Sequence, residues 1–191
     1  MPTAPRTQPP DVRRDQLLDA AEQVFLSQGL RATTVADVAA AAGLAKGTVY
    51  LHFDSKDALV AALRRRYLDR ADEALQAASA DVEEPLAHLS RLIHALFEFG
   101  ARNHDMHHLL FHEAGFSEDD AFEPVRLLFA GVIAEGIRRG DIEAGDTDIA
   151  TDFVVGSMHD ALIRAMHGKP ARRKRVADET VRLLIRALAT H

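Results

Sequence analysis

Residues 35–52 of the chain read VADVAAAAGLAKGTVYLH, and this stretch decides the fold around it. Val38 and Ala39 give its first part an apolar face at helical spacing, and Ala39 is small enough to let a second helix cross closely. Gly43 ends that helix, because glycine tolerates the positive φ of a tight turn. Val49 supplies an apolar contact from the next helix back to the first. The spacing therefore predicts two short helices in a helix-turn-helix arrangement.

The exposed side of the second short helix has the composition expected of a helix that enters a DNA groove. The major groove, about 12 Å wide, admits an α-helix whose side chains then reach base edges and phosphates. Gly47 would let the backbone approach a base edge, and Thr34 with Asp37 forms a capping-box pattern that begins the first short helix. The alternative is an ordinary amphipathic helix pair with a solvated lysine face. We favour DNA binding because the small residue, the turn glycine and the valine anchor occur together.

Helical spacing continues through nearly the whole chain, without a stretch of sustained strand-like alternation. Prolines stand near the starts of apolar-periodic runs and glycines near their ends, as is typical of helix termini. The sequence therefore predicts an all-α protein of about nine helices. Their approximate bounds are 11–28, 35–41, 45–52, 56–79, 85–102, 104–113, 121–139, 147–167 and 171–189.

The composition excludes several classes of protein. The chain has 191 residues, with 23 Lys and Arg against 29 Asp and Glu, and it contains no Cys. Disulfides, thiolate metal cages and cysteine nucleophiles are therefore excluded. No apolar run is long enough to span a bilayer, and the four prolines between Met1 and Pro10 do not resemble a secretory signal. We expect a cytoplasmic protein without a membrane partner.

Charge is distributed unevenly along the chain. Residues 1–66 have a formal charge of +2, whereas residues 67–191 have a formal charge of −8. This asymmetry favours an anion-binding surface in the first third and a different role for the remainder.

The stretch from Arg14 to Val60 contains LLDAAEQVFLSQGLRATTVADVAAAAGLAKGTVYLHFDSKDALV and resembles the N-terminal domain of TetR-family transcriptional repressors. The motifs T-T-V-x-D-V-A, A-A-G, K-G-T-V-Y, H-F and S-K-D-A-L fall in register. The resemblance implies a homodimeric repressor that binds a palindromic double-stranded operator and is released by a small-molecule effector of unknown identity. It places a three-helix DNA-binding domain at 11–54 and an effector-binding and dimerisation domain at 55–191. We expect the Pro-rich residues 1–10 to be disordered.

The resemblance also implies DNA contacts residue by residue. Gly47 and Thr48 correspond to base-edge contacts. Five further residues correspond to contacts with backbone phosphates: Thr34, Lys46, Tyr50, His52 and Lys56. Two positions depart from the family pattern. Ala45 replaces the Ser or Thr that often caps the second short helix, and a contact from Leu51 would be apolar, for instance to a thymine methyl group.

The C-terminal two thirds of the chain are rich in large apolar residues, which by the resemblance line an effector cavity and by composition alone are core. The set comprises Leu96, Phe97, Met106, Leu110, Phe129, Ile133, Phe153 and Met158. The last two helices have broad apolar stripes with small residues, which predicts a subunit interface. In the family, this pair of helices forms a four-helix bundle with the same pair of the second subunit. The predicted interface residues are Phe153, Gly156, Val181, Leu184 and Leu188.

A cluster of histidines gives an alternative function. His104, His108 and His112 repeat every four residues, so on an α-helix they share one face and could bind Zn²⁺, Ni²⁺ or Cu²⁺ in a metal-responsive repressor. The other interpretation is a solvated helix face.

The sequence has no H-E-x-x-H, G-x-S-x-G or phosphate-binding glycine loop, so we expect neither an enzyme nor a cofactor. The role of the basic run Arg172–Arg175 stays open.

Overall fold

The helices begin and end close to the residues that the sequence predicts. The computed structural model describes residues 9–113, 122–166 and 168–190, without the side chains of His112 and Pro170. Within these ranges the chain forms nine α-helices and no β-strand. They are α1 (Pro10–Gln28), α2 (Val35–Ala41), α3 (Lys46–Tyr50), α4 (Lys56–Ser79), α5 (Pro85–Arg102), α6 (His104–His107), α7 (Glu123–Arg139), α8 (Thr147–Met166) and α9 (Pro170–Leu188). The all-α prediction is confirmed, and none of these helices is long and apolar enough to cross a membrane.

Prolines begin several helices, as the sequence predicts. Pro85 and Pro170 each stand at the start of their helix, and Pro124 lies in the first turn of α7. Pro10, expected to belong to a disordered segment, begins α1, and residues 1–8 of that segment lie outside the described residues. Proline is favoured there because the first backbone N–H groups of a helix have no intrahelical partner in any case. At the opposite end of α7, Gly140 has a φ of 81° and closes the helix in the left-handed conformation.

The helix predicted over residues 104–113 consists of two parts. α6 ends at His107, and a π-helical segment over His108–Glu113 follows it directly. In a π-helix the hydrogen bonds run from residue i to residue i+5, and such segments usually occur as single turns next to an α-helix. The single α-helix assumed for His104, His108 and His112 is therefore interrupted after His107, and the side chain of His112 lies outside what the structure describes.

Contacts divide the chain into two compact units, which we describe separately. Unit 1 comprises Met1–Tyr67 and Asp105–Phe116, and unit 2 comprises Leu68–His104 and Ser117–His191. Unit 1 thus contains the helix-turn-helix, the first half of α4 and the π-helical segment. Its buried apolar side chains include Leu17, Leu18, Ala21, Phe25, Val38, Ala39, Val49, Phe53, Leu59 and Leu63.

Within unit 1, an arginine of α4 is bound to two carboxylates of α1. Arg66 Nη1 lies 2.6 Å from Asp19 Oδ1, and its Nη2 lies 2.6 Å from Glu22 Oε2. The side chains of Arg66 and Glu22 are 18% and 27% exposed, so their charge-assisted hydrogen bond is partly shielded from solvent, whereas the Asp19 side chain is 64% exposed. Both hydrogen bonds hold the first half of α4 against α1.

An aromatic cluster joins α4 to the following part of unit 1. The Tyr67 hydroxyl lies 3.1 Å from His107 Nδ1, and the Phe111 ring centroid lies 5.7 Å from that of Tyr67 and 4.9 Å from that of His107. Burial raises the pKa of Tyr67, so its hydroxyl stays protonated and can donate to the imidazole. This cluster fixes α6 and the π-helical segment on α4.

The π-helical segment also reaches the turn between α1 and α2. The backbone N–H of Leu30 donates to Glu113 Oε2 over 3.4 Å. The Leu30 carbonyl accepts a hydrogen bond from Lys56 Nζ at the start of α4. Both backbone groups of Leu30 are therefore held by side chains from distant parts of the sequence.

Unit 2 is built around α5, which contacts α7, α8 and α9. The apolar face of α5 is buried among residues of those three helices. The core includes Leu89, Leu92, Ile93, Leu96, Phe129, Ile133, Val154, Met158, Val181, Leu184 and Leu188.

The burial of three α9 residues corrects the predicted subunit interface. Val181, Leu184 and Leu188 are 4–8% exposed and belong to the core of unit 2, so they offer no surface to a second chain. Leu183, one position away and about 100° around the helix, is 55% exposed instead. The predicted stripe is the face of α9 that packs within its own chain.

Hydrogen bonds explain the role of Arg173, one member of the basic run at the start of α9. Its guanidinium donates to the carbonyls of Ala101, Met166 and Gly168 over 3.4, 3.0 and 2.8 Å. Ala101 and Met166 lie in the last turns of α5 and α8, where the free carbonyls and the helix dipole favour a cation. Arg173 thus caps the C-terminal ends of two helices, although it stands at the N-terminal end of its own.

We predict that Arg173→Ala lowers the free energy of unfolding by about 1–3 kcal/mol, since it removes charge-assisted hydrogen bonds to three carbonyls. Arg175→Ala removes an exposed charge from the same run and serves as the control, with a change of less than about 0.5 kcal/mol. Urea denaturation followed by circular dichroism measures both. Equal stability of the two variants would contradict the capping role.

Candidate nucleic-acid interface and ligand cavities

Helices α2 and α3 pack through the residues that the sequence singles out. Val38, Ala39 and Val49 are 0–2% exposed, and Gly43 takes a φ of 67° in the turn between the helices. The Leu44 N–H donates to the Ala39 carbonyl over 2.8 Å, which closes the turn. The predicted helix-turn-helix is confirmed.

The turn is also held from α1, a contact that sequence reasoning missed. Gln16 Nε2 donates to the Ala42 carbonyl over 3.0 Å. Arg14 of the same helix lies over the Phe53 ring, with its guanidinium carbon 5.1 Å from the ring centroid. These contacts join residues 26 and 39 positions apart, so no local spacing in the sequence could indicate them.

The start of α2 is a complete capping box. Asp37 Oδ2 accepts hydrogen bonds from the backbone N–H and the hydroxyl of Thr34 over 2.8 and 2.7 Å, and Thr34 Oγ1 accepts from the Asp37 N–H over 3.3 Å. The hydrogen bond from the Thr34 side chain, and then that from its backbone, lowers the pKa of Asp37. The box is therefore stabilising at neutral pH and weakens when acid protonates this carboxylate. The Thr34 groups predicted to contact phosphate are already bonded to Asp37.

α3 is short and lacks a side-chain cap, in agreement with the Ala45 departure. It spans only Lys46–Tyr50, and the next residue, Leu51, keeps a right-handed helical backbone. On one side Val49 and Phe53 are buried in unit 1. The opposite side is therefore directed to solvent by the anchoring of these two side chains.

The predicted DNA-contacting residues of α3 lie together on this outer surface or at its edge. Lys46, Gly47 and Tyr50 are exposed, whereas Thr48 and His52 are half-buried. Lys46 Nζ lies 5.9 Å from the centroid of the Tyr50 ring, which brings a cation and a hydroxyl-bearing ring to one edge. A Cβ added at Gly47 would meet no atom within 4 Å, so packing does not require glycine there.

Two cavities lined by described residues of unit 2 include few of the predicted pocket residues. The larger, about 330 Å³, is lined by His94, Phe97, Glu98, Ala101, Leu162, Ala165, Met166, Arg173, Lys174, Ala177 and Asp178. The smaller, about 230 Å³, is lined by Leu96, Phe122, Glu123, Val125, Arg126, Val155, Gly156, Met158, His159 and Leu162. Of the predicted set, Phe97 lines the larger cavity, and Leu96 and Met158 line the smaller.

The other predicted pocket residues lie elsewhere. Phe129 and Ile133 are fully buried in the packed core of unit 2, and Phe153 is 51% exposed. Met106 and Leu110 are buried and belong to unit 1. The structure therefore does not bring the predicted set together around one cavity.

The metal-site alternative receives no support from the described residues. Among them, no three His, Asp or Glu side chains converge in a way that could hold a metal ion. The side chain of His112 lies outside what the structure describes.

Comparisons with known proteins agree with the arrangement of helices. The family model for "Bacterial regulatory proteins, tetR family" matches residues 17–63, and that for "Tetracyclin repressor-like, C-terminal domain" matches residues 85–188. The second match alone spans more than half of the chain. The chain belongs to the TetR family. It is a transcriptional regulator of that family, as its relatives are.

One curated relative and two solved structures illustrate the similarity. The transcriptional repressor KstR2 of Rhodococcus jostii is 32% identical over 160 residues, which cover 80% of this chain and 78% of the relative. The solved ketosteroid transcriptional regulator KstR2 of Mycobacterium tuberculosis has a TM-score of 0.67 and 26% identity, covering 94% of this chain and 96% of that one. FadR of Bacillus subtilis, solved in complex with stearoyl-CoA, has a TM-score of 0.73 at 22% identity, covering 93% and 99%, and shares the fold.

Proposed function

We propose that this TetR-family regulator is a homodimeric repressor that inserts α3 into the major groove of a palindromic operator and is released by a small-molecule effector. The observation that carries the proposal is the outer surface of α3. It is exposed, it has a lysine and a tyrosine at one edge, and its anchoring side chains all lie on the opposite side. An α-helix held in this way can enter a groove without unfolding its own support.

The proposed roles follow from where each side chain lies. Gly47 and Thr48 meet base edges, because Gly47 is exposed on the side of α3 away from Val49 and the half-buried Thr48 lies beside it. Lys46 and Tyr50 contact phosphates from the helix edge, and Thr34, His52 and Lys56 add phosphate contacts around it. Thr34 and Lys56 also have structural partners, Asp37 and the Leu30 carbonyl, so their contacts with DNA would be shared with those groups.

The proposed dimer surface is the outward side of α8 and α9, which contact each other. Ile149 and Phe153 of α8 are 71% and 51% exposed, and Leu183 of α9 is 55% exposed. Gly156 is exposed on α8 without a neighbour that a Cβ would strike, so a second backbone can approach there. Large apolar side chains exposed together mark an interaction surface. A second copy related by two-fold symmetry would present two α3 helices, one to each half-site of a palindromic operator.

The proposed effector site is the larger cavity of unit 2. Its walls are mainly apolar, with Phe97, Leu162 and Met166 among them, and its rim has charged groups of both signs. This composition favours a molecule with an apolar body and a polar end. Two structural neighbours, a ketosteroid regulator and a regulator solved with stearoyl-CoA, are consistent with an effector that has an apolar body.

Substitution of α3 residues tests DNA binding directly. Lys46→Ala should weaken binding to every duplex, because each subunit loses one phosphate contact. The dependence of log K on log salt should become shallower by about one unit per subunit. Thr48→Ala should instead change the preferred operator sequence, by about 1–3 kcal/mol at one base pair. Fluorescence anisotropy at several salt concentrations measures both, with Arg91→Ala as a charge-removal control outside unit 1. Equal effects of Lys46→Ala and Arg91→Ala would reject the proposed interface.

Substitution of the adjacent leucines Leu183 and Leu184 of α9 tests the proposed dimer surface. Leu183→Asp should yield a folded monomer, because it places a charge on the exposed apolar side. Leu184→Asp should instead lower the free energy of unfolding by more than about 3 kcal/mol, because it buries an unpaired charge in the core of unit 2. Sedimentation velocity and circular dichroism distinguish the two results. A Leu183→Asp protein with the mass of a dimer would contradict this interface.

A further inference from the structure

The packing of the fold does not explain why the Leu51 side chain is exposed. Its side chain is 82% exposed, the most of any large apolar side chain among the described residues. Single exposed leucines are common on protein surfaces and usually need no explanation. This one, however, stands directly after α3, within the surface that the proposed function assigns to DNA.

The backbone around Leu51 fixes the side of α3 on which it lies. Leu51 has φ −72° and ψ −21°, and its N–H donates to the carbonyls of Thr48 and Val49, so the helical path continues through it. Residues three and four apart share a face of a helix, which groups Leu51 with Thr48 and Gly47. Val49 and Phe53 are buried on the other side and prevent this face from rotating inward.

A leucine side chain can recognise only part of what a major groove presents. It has no hydrogen-bond donor or acceptor, so the polar edges of guanine, adenine and cytosine would lose water without gaining a partner. Thymine differs, because its C5 methyl group projects into the major groove and offers an apolar contact. The exposed leucine therefore matches thymine better than any other base.

We propose that Leu51 is a specificity-determining residue that selects thymine in each half-site of the operator through contact with the C5 methyl group. The inference rests on the proposed function, since it requires α3 to enter the groove. Gly47 and Thr48 then read neighbouring base edges, and Leu51 adds a base pair to the recognised sequence by apolar contact alone.

The test removes the methyl group without altering any hydrogen-bonding edge. Duplexes that the full-length protein binds are first selected from a random pool. Each thymine of the selected operator is then replaced singly by uracil, and affinities are measured for the native protein, Leu51→Ala, Leu51→Met and Leu26→Ala. Leu26 is an exposed leucine of α1 in unit 1 and provides the matched control.

At one thymine of each half-site, uracil should weaken binding of the native protein about fourfold, the value expected for one buried methyl group. Leu26→Ala and Leu51→Met should keep this loss, and Leu51→Ala should abolish it. An equal loss in the native protein and Leu51→Ala, or no loss at any thymine, would overturn the inference while leaving the proposed function intact. If no duplex is selected at all, the proposed function falls together with the inference.

Discussion

The burial of Val49 and Phe53 is the interaction on which the DNA-facing surface depends. α3 has five residues and no side-chain cap, and a helix of that length does not form stably by itself in water. Its conformation and direction therefore come from packing against the rest of unit 1. Arg14 over the Phe53 ring and Gln16 on the Ala42 carbonyl strengthen this attachment from α1. The outer surface of α3 is a consequence of what is buried beneath it.

Residues that hold the helix-turn-helix and residues proposed to bind DNA are largely different residues. Gly47 and Leu51 do not pack in the interior of unit 1. Val38, Ala39 and Val49, in contrast, are buried there. Changes on the outer side can therefore alter the recognised sequence at little cost in stability. Thr34 and Lys56 are the exceptions, because each also bonds to another part of unit 1. Substitutions at these two positions combine effects on binding with effects on folding.

Local features of the fold could be predicted from the sequence, and long-range features could not. Prolines at helix starts, the capping box at Thr34 and the turn at Gly43 depend on neighbouring residues, so spacing alone indicates them. The apolar stripe of Val181, Leu184 and Leu188 is visible in the sequence, but its packing against α5 and α8 of the same chain, and not against a second copy, depends on the fold. Arg173 illustrates the same limit, since its Ala101 partner lies 72 positions away and only the fold brings that carbonyl to it. The site residues on α3 could be proposed because they lie within one helix, whereas the cavity residues come from three.

The operator affinity of Val49→Ala tests the central claim most directly, because this change leaves every proposed DNA-contacting side chain in place. If buried Val49 holds α3 in position, the variant should lose most of its affinity for the selected operator while circular dichroism shows the other helices retained. An affinity equal to that of the native protein, measured on the same duplex at the same salt concentration, would contradict the account.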